Sequence, residues 1–376
     1  MASSHVSGWN ALVTLLPDID LHLDQALARS LEAAEGIEFQ SFKVGVQGEK
    51  SWKQLPFDEV SEFKSAIKRH VGVALSMAWP ERHVEFERPE LLLTYDVRKG
   101  QVACTISPIF LYSRYQKRFA NLPQTPANWP CDACARAGCE ACGQTGLKYS
   151  RSLQDYLGEL AREAFAASEI KLHGMGREDV DVRCLGEGRP FVLELRSPRV
   201  RTPDLEALRE ALDAAHPEVA ALTVPWRRVA RAAVARLKEF TADKHYRARV
   251  RAEGPLDPER VAALAKLGGQ QIQQRTPTRV SHRRSDKVRE RYVGVCQPGP
   301  LEAEGHEFTV EIEAESGTYI KELISGDDGR SDPSFSELLG VPCLCVGLDV
   351  LAIRASDEEL LSPEAGDFEE DGMEFA

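Results

Sequence analysis

Apolar residues recur along this chain at two spacings, one of helices and one of strands. In residues 12–34, Leu21, Leu23, Ala26, Leu27, Leu31 and Ala34 mark helical segments with a break near Pro17. Val60, Phe63, Ile67, Val71 and Ala74 give a second helical face over 57–74. Residues 90–95 and 102–109 alternate or run apolar on either side of Lys99-Gly100, a hairpin pattern. Together these predict a mixed α/β region over residues 1–125. Leu153, Tyr156, Leu157, Leu160, Ala164 and Phe165 then predict an amphipathic helix over 152–170. Thr202-Pro203 opens another helix, a cap residue followed by a proline in the first turn. A helix over 225–240 and strands over 242–250 and 308–314 complete the pattern. Strands separated by helices point to an α+β architecture.

The stretch 174–198, GMGREDVDVRCLGEGRPFVLELRSP, breaks this regularity. It sets Glu178, Asp179 and Asp181 among Arg177, Arg183, Arg189 and Arg196, with glycines at 174, 176, 186 and 188. The expected local structure is a strand ending near Leu172, an exposed loop holding the charges, and a returning strand at 191–195. An acid held among guanidinium groups on a loop suits a nucleophile or base. An ordinary salt-bridged hairpin fits the same charge density. In an extended loop Asp179 and Asp181 point the same way, with Val180 and Val182 opposite, so chemistry alone does not choose between the two acids.

At 376 residues the chain has room for two or three domains. No apolar run approaches the roughly 18 residues of a membrane span, and the N-terminal segment lacks a basic region followed by an apolar core. These features predict a cytoplasmic protein without a membrane partner. The net charge of −12 argues at first against nucleic acid. Nine of those charges fall after residue 356, where there is no Lys or Arg, which leaves −3 for the rest. Residues 355–376 are therefore expected to form a solvated, disordered acidic tail.

Candidate chemistry lies in five places besides the acidic loop. Residues 111–128 interleave cations with Tyr112, Tyr115 and Phe119, a pattern that fits either phosphate contact or a solvated linker. Cys131, Cys134, Cys139 and Cys142 form two CxxC turns four residues apart, a tetrahedral S4 set suited to structural Zn²⁺ with no open position. The other five cysteines are scattered, as in a reducing compartment. Residues 242–250 set Tyr246 among Lys244, Arg247 and Arg249, as a site for a flipped base requires. Residues 274–291 hold seven Lys/Arg against two acids, and His282 adds a titratable donor. Residues 317–340 open with Gly317-Thr318-Tyr319-Ile320-Lys321. The four-cysteine unit lacks the repeats of J-domain chaperones. No GxGxxG or GxxxxGK[ST] is present for a cofactor-dependent methyltransferase or thiolase.

Five of these motifs stand in one recognisable order. Leu122-Pro123-Gln124-Thr125 before Trp129 and the first cysteine, GREDVDVRCLGEGRPFVLE, the Tyr246 segment, TPTRVSHRRSD and GTYIK resemble the THUMP-type tRNA pseudouridine synthases of archaea and eukaryotes. The resemblance covers roughly residues 110–350. It implies the pseudouridine synthase fold, α+β with a central mixed sheet, and conversion of uridine 54, 55 or both in the tRNA T-loop without a catalytic cofactor. It also implies a THUMP-like tRNA-binding domain at 1–125, a structural zinc module at 126–150, a catalytic domain at 151–354, and a monomer. By the Gly-Arg-x-Asp match, Asp179 is the catalytic aspartate, Lys321 its basic partner and Tyr246 the residue stacked on uracil. Arg177, Arg183, Arg279, His282, Arg283, Arg284 and Tyr319 are then the implied RNA and base contacts.

Overall fold

The computed structural model describes residues 19–48, 57–282 and 284–362. The expected helical segment at 12–18, Arg283 and the acidic tail from 363 lie outside the described residues. Among the described residues no helix is long and apolar enough to cross a membrane. The chain divides into two compact units.

The first unit takes residues up to 109 with 161–170 and 194–204. Helices α1 (Ile19–Ala33) and α2 (Phe57–Ala78) accompany β1 (Ser41–Gln47), β2 (His83–Val84), β3 (Leu91–Asp96) and β4 (Gln101–Ile106). The sheet order is β2-β1-β3-β4; β1 runs parallel to both neighbours, and β3–β4 is the expected antiparallel hairpin. The Asp96 carboxylate closes its turn by accepting from the Arg98 and Lys99 N–H groups. Phe63, Ile67, Val71 and Leu75 bury with Leu23 and Ala26 against Phe42, Val44, Leu91 and Leu93. Leu21 and Leu31, which helped mark the expected helix, are exposed; the buried stripe is Ile19, Leu23, Ala26 and Ser30. Segment 194–204 belongs here because the Glu38 carboxylate accepts from the Arg201 and Thr202 N–H groups, while Arg201 pairs with Glu90 at 3.0 Å.

The second unit is built on an eleven-stranded sheet. Its strands are β5 (Ile109–Lys117), β6 (Glu169–Gly174), β7 (Arg183–Arg196), β8 (Ala220–Leu222), β9 (Arg227–Val229), β10 (Lys244–Ala252), β11 (Gln270–Arg275), β12 (Val288–Glu302), β13 (Glu307–Ala314), β14 (Ser331–Asp332) and β15 (Cys343–Ile353). The order is β14-β11-β12-β13-β10-β15-β7-β5-β8, with β6 beside β7 and β9 beside β5. It is a mixed sheet: β10 lies antiparallel between β13 and β15, and β7 runs parallel to β15. Helices α3 (Leu153–Ala164), α4 (Leu205–Ala215), α5 (Ala232–Glu239), α6 (Pro258–Ala263), α7 (Ile320–Ser325), α8 (Phe335–Leu339) and α9 (Asp357–Leu361) connect or flank the strands.

Four expectations change. The return strand starts at Arg183 rather than 191 and takes the glycines inside it. Gly186 has φ +58°, and a Cβ there would lie 2.1 Å from the Leu351 carbonyl oxygen, so strand approach and backbone angle both require glycine. The expected helix at 225–240 is split, because Arg227–Val229 pairs with β5 as a strand before α5 begins. Residues 110–125 group with the second unit, β5 having joined the large sheet. Residues 356–361, expected in the tail, form a capped helix instead: Ser356 and Glu359 make a capping box for α9. There Asp357 accepts from Tyr112 Oη and Arg114 Nε at 2.6 Å each.

Gly186→Ala is expected to cost at least ~2 kcal/mol, because a Cβ meets a backbone carbonyl in a left-handed conformation. Urea unfolding of the full chain reads this as a lower midpoint.

Candidate active site and cysteine cluster

Residues 175–182 connect β6 to β7 and carry the three acids. Glu178 turns inward. Its carboxylate lies 2.8 Å from Arg189 Nε and 3.9 Å from Lys117 Nζ, and it accepts from Tyr115 Oη at 3.1 Å. All four side chains are buried. The two cations also bind the loop backbone. Lys117 Nζ donates to the carbonyls of Leu122 (2.8 Å), Val180 (3.0 Å) and Asp179 (3.3 Å). Arg189 Nη1 donates to Met175 O at 2.8 Å. Gln124 Nε2 donates to Gly176 O at 3.1 Å and to Tyr115 Oη at 2.7 Å, and Leu122 N–H donates to Val180 O at 3.2 Å. The Leu122-Pro123-Gln124 segment is thus a brace for the acidic loop. Burial lowers the Lys117 pKa against the pull of Glu178. Burial, then Glu178, push the Tyr115 phenol well above its ordinary range.

Asp179 and Asp181 remain accessible, their side chains 38% and 60% exposed. Lys321, in the first turn of α7, donates to both Asp181 oxygens at 2.8 Å and lies 3.4 Å from Asp179 Oδ2. Burial pushes the Asp181 pKa up, but the hydrogen bonds and charge of Lys321 outweigh it and hold the carboxyl below its ordinary value. Arg279, on the turn between β11 and β12, reaches Asp179 Oδ2 at 2.9 Å through Nη1 and Glu322 Oε1 at 2.6 Å through Nε. Gln274 fixes the start of α7 from both sides: Oε1 accepts from Tyr319 N–H at 2.9 Å, and Nε2 donates to Tyr319 O at 3.0 Å.

The structure therefore brings Asp179, Lys321 and Arg279 together from three separated motifs, and adds Asp181 and Glu322. Tyr246 is buried on β10, where burial pushes its phenol up to about 12 against the charge of Arg189. Arg183 forms a two-point ion pair with Asp349 at 2.7 and 2.8 Å. Arg284 Nη1 donates to Tyr319 Oη at 2.9 Å, while Arg177 and His282 are exposed. The basic segments are less open than their sequence implies. In 111–128, Arg114 and Lys117 are buried cations, not a solvated face. In 274–291, Arg275 pairs with Asp286, Arg291 with Glu315, and Arg289 donates to Thr276 Oγ1. The roles of Glu178, Lys117 and Glu322 have no local sequence signal, because a charge that turns inward leaves the same letter as one that faces water.

The four cysteines converge as their spacing predicts, with all Sγ atoms within 4.8 Å of one another. Pairs stand at 4.0 Å (Cys131–Cys139), 3.8 Å (Cys134–Cys142) and 3.7 Å (Cys139–Cys142). Tetrahedral bonds of about 2.3 Å to a central ion require edges of about 3.8 Å, so the donor set fits a metal. The N–H groups of Cys139 and Gly146 donate to Cys142 Sγ at 3.2 Å each, and Cys139 foremost lowers that thiol to about 6. A Cβ on Gly146 would stand 2.6 Å from Arg136 O, so this turn closes only with glycine.

A family model described as "Pus10, C-terminal" matches residues 110–354. A tRNA pseudouridine synthase Pus10 from Methanothermobacter marburgensis is 40% identical over 359 residues, covering 89% of this chain and 84% of that one. One from Archaeoglobus fulgidus is 39% identical over 323 residues, covering 84% and 87%. A crystal structure of a Cbf5-Nop10-Gar1 complex aligns over 64% of this chain and 58% of that chain, at TM-score 0.32 and 16% identity. The chain belongs to the Pus10 family.

Glu178→Gln leaves Arg189 and Lys117 buried without their counter-charge and is expected to cost about 3–5 kcal/mol. Chemical denaturation measures the loss.

Proposed function

We propose that this member of the Pus10 family isomerises uridine to pseudouridine in tRNA, with Asp179 acting on the target nucleotide in the T-loop at position 54, 55 or both. The observation that carries the assignment is the meeting of Asp179 with Lys321 and Arg279, side chains 142 and 100 positions further along the chain, on an accessible loop whose backbone is fixed from below. Breaking the N1–C1′ bond, turning the uracil and joining C5 to C1′ moves one proton from C5 and one to N1. No oxidant or reductant is required, in keeping with a reaction that uses no cofactor.

The target uridine has to leave its stack, at a cost of a few kcal/mol. In this reading Tyr246 packs against the base while it turns, its phenol un-ionised at neutral pH because burial holds the pKa near 12. Arg177, exposed at the loop, fills the space the base vacates. His282, Arg283, Arg284 and Tyr319 contact the RNA, with Arg284 already directed by its bond to Tyr319. Arg183 and Arg279 would contribute to RNA only by sharing their carboxylate partners. The first unit serves as the THUMP-like accessory that binds the tRNA body. Cys131, Cys134, Cys139 and Cys142 hold a structural zinc ion that fixes the module at 126–150.

Pseudouridine mapping of an unmodified tRNA transcript tests the enzyme reading. The unsubstituted protein is expected to modify the T-loop, and Asp179→Asn to slow it on the order of 10³-fold or more while binding tRNA equally well. Tight binding by both forms with no isomerisation by either would leave an RNA-binding protein and remove the enzyme. Elemental analysis is expected to find one zinc per chain, and none after Cys134→Ser with a lowered melting temperature.

A further inference from the structure

Glu322 sits one residue after Lys321 on α7, yet faces another way. Its side chain is only 8% exposed, and its carboxylate is met by Arg279 through Nε at 2.6 Å and Nη2 at 3.5 Å. The same guanidinium reaches Asp179 through Nη1 at 2.9 Å. One planar fork therefore spans two carboxylates, one buried on a helix and one open on the reactive loop. The closest approaches of both Arg279 and Lys321 to Asp179 are to Oδ2, so both cations engage the same oxygen of that carboxylate. Lysine does not reproduce this bridge, since its ammonium lacks the rigid spread of donors.

We propose that Glu322 is a positioning residue for the pseudouridine synthase reaction. It anchors Arg279 so that the guanidinium holds Asp179 Oδ2 and presents Oδ1 to the target nucleotide. The assignment rests on the isomerase reading above for its catalytic consequence, but the Glu322–Arg279–Asp179 bridge exists in the free protein. Arg279, drawn from the basic segment, thus serves the aspartate and not the phosphate backbone.

Single-turnover pseudouridine formation on a T-loop-containing transcript, with tRNA affinity measured in parallel, reads the catalytic part. Glu322→Gln and Arg279→Lys are each expected to slow the chemical step about tenfold or more with tRNA affinity changed less than twofold. The double substitution is expected to be no slower than the worse single one. In the free full-length protein, the ¹⁵N–¹H signal of Arg279 Nε is expected to be slowly exchanging and to vanish in Glu322→Gln. Arg279→Lys at the unsubstituted rate overturns the proposal, because a lysine that suffices shows the bridge is dispensable. So does a loss of affinity with an unchanged chemical step, which makes Arg279 an RNA contact. If the Nε signal behaves as stated while the unsubstituted protein forms no pseudouridine, the isomerase reading falls and the bridge stands. Arg279→Lys keeps the test open should Glu322→Gln misfold.

Discussion

The buried ion cluster of Glu178, Arg189 and Lys117 is the constraint on which the acidic loop depends. Its value does not lie in net stability, since desolvating three charges offsets much of their attraction and apolar side chains of similar size pack as well. What apolar side chains lack is donors. Lys117 and Arg189 spend theirs on the carbonyls of Leu122, Asp179, Val180 and Met175, and Glu178 supplies the counter-charge that lets both stay inside. The loop is thereby ordered through its backbone, which leaves the side chains of Asp179 and Asp181 at the surface. A catalytic group presented from a loop needs such support, because a misplacement of about 1 Å can cost 10²-fold in rate.

That constraint also shows why the large sheet has its particular order. Lys117 ends β5 and Arg189 lies within β7, neighbours in the sheet, so one pair of strands delivers both cations beneath one loop. Asp349 on β15, paired with β7 at Arg183, ties the start of the return strand to the next strand along. Gly186 permits the close passage of Leu351 a few residues later.

The parts of this arrangement that were legible in the sequence are those encoded by local spacing. The CxxC turns predict their own convergence, because two residues between ligands set both thiols on one turn. The hairpin at Lys99-Gly100, the α3 face and the alternation of β10 follow from periodicity. The order of motifs around Asp179 and Lys321 was visible as a resemblance. The direction of a charged side chain was not. Arg114 and Lys117 sit in a segment that reads as a basic surface, yet both are buried because their partners, Asp357 and Glu178, come from positions 243 and 61 residues further along. Glu178 stands next to Asp179 and shares its chemistry, so only the sheet decides that one turns inward and the other outward. The glycines at 186 and 188 mark turns by propensity, and the contact that places Gly186 inside a strand is with Leu351, far beyond any local window.

The same geometry bears on why two aspartates share one lysine. Lys321 donates to Asp181 at 2.8 Å and stands 3.4 Å from Asp179, so Asp181 takes the shorter bonds. Holding the ammonium on Asp181 leaves Arg279, at 2.9 Å, as the cation in short contact with Asp179. Asp181, more exposed and closer to the lysine, is the acid that orients Lys321, in keeping with the reactive role proposed for Asp179.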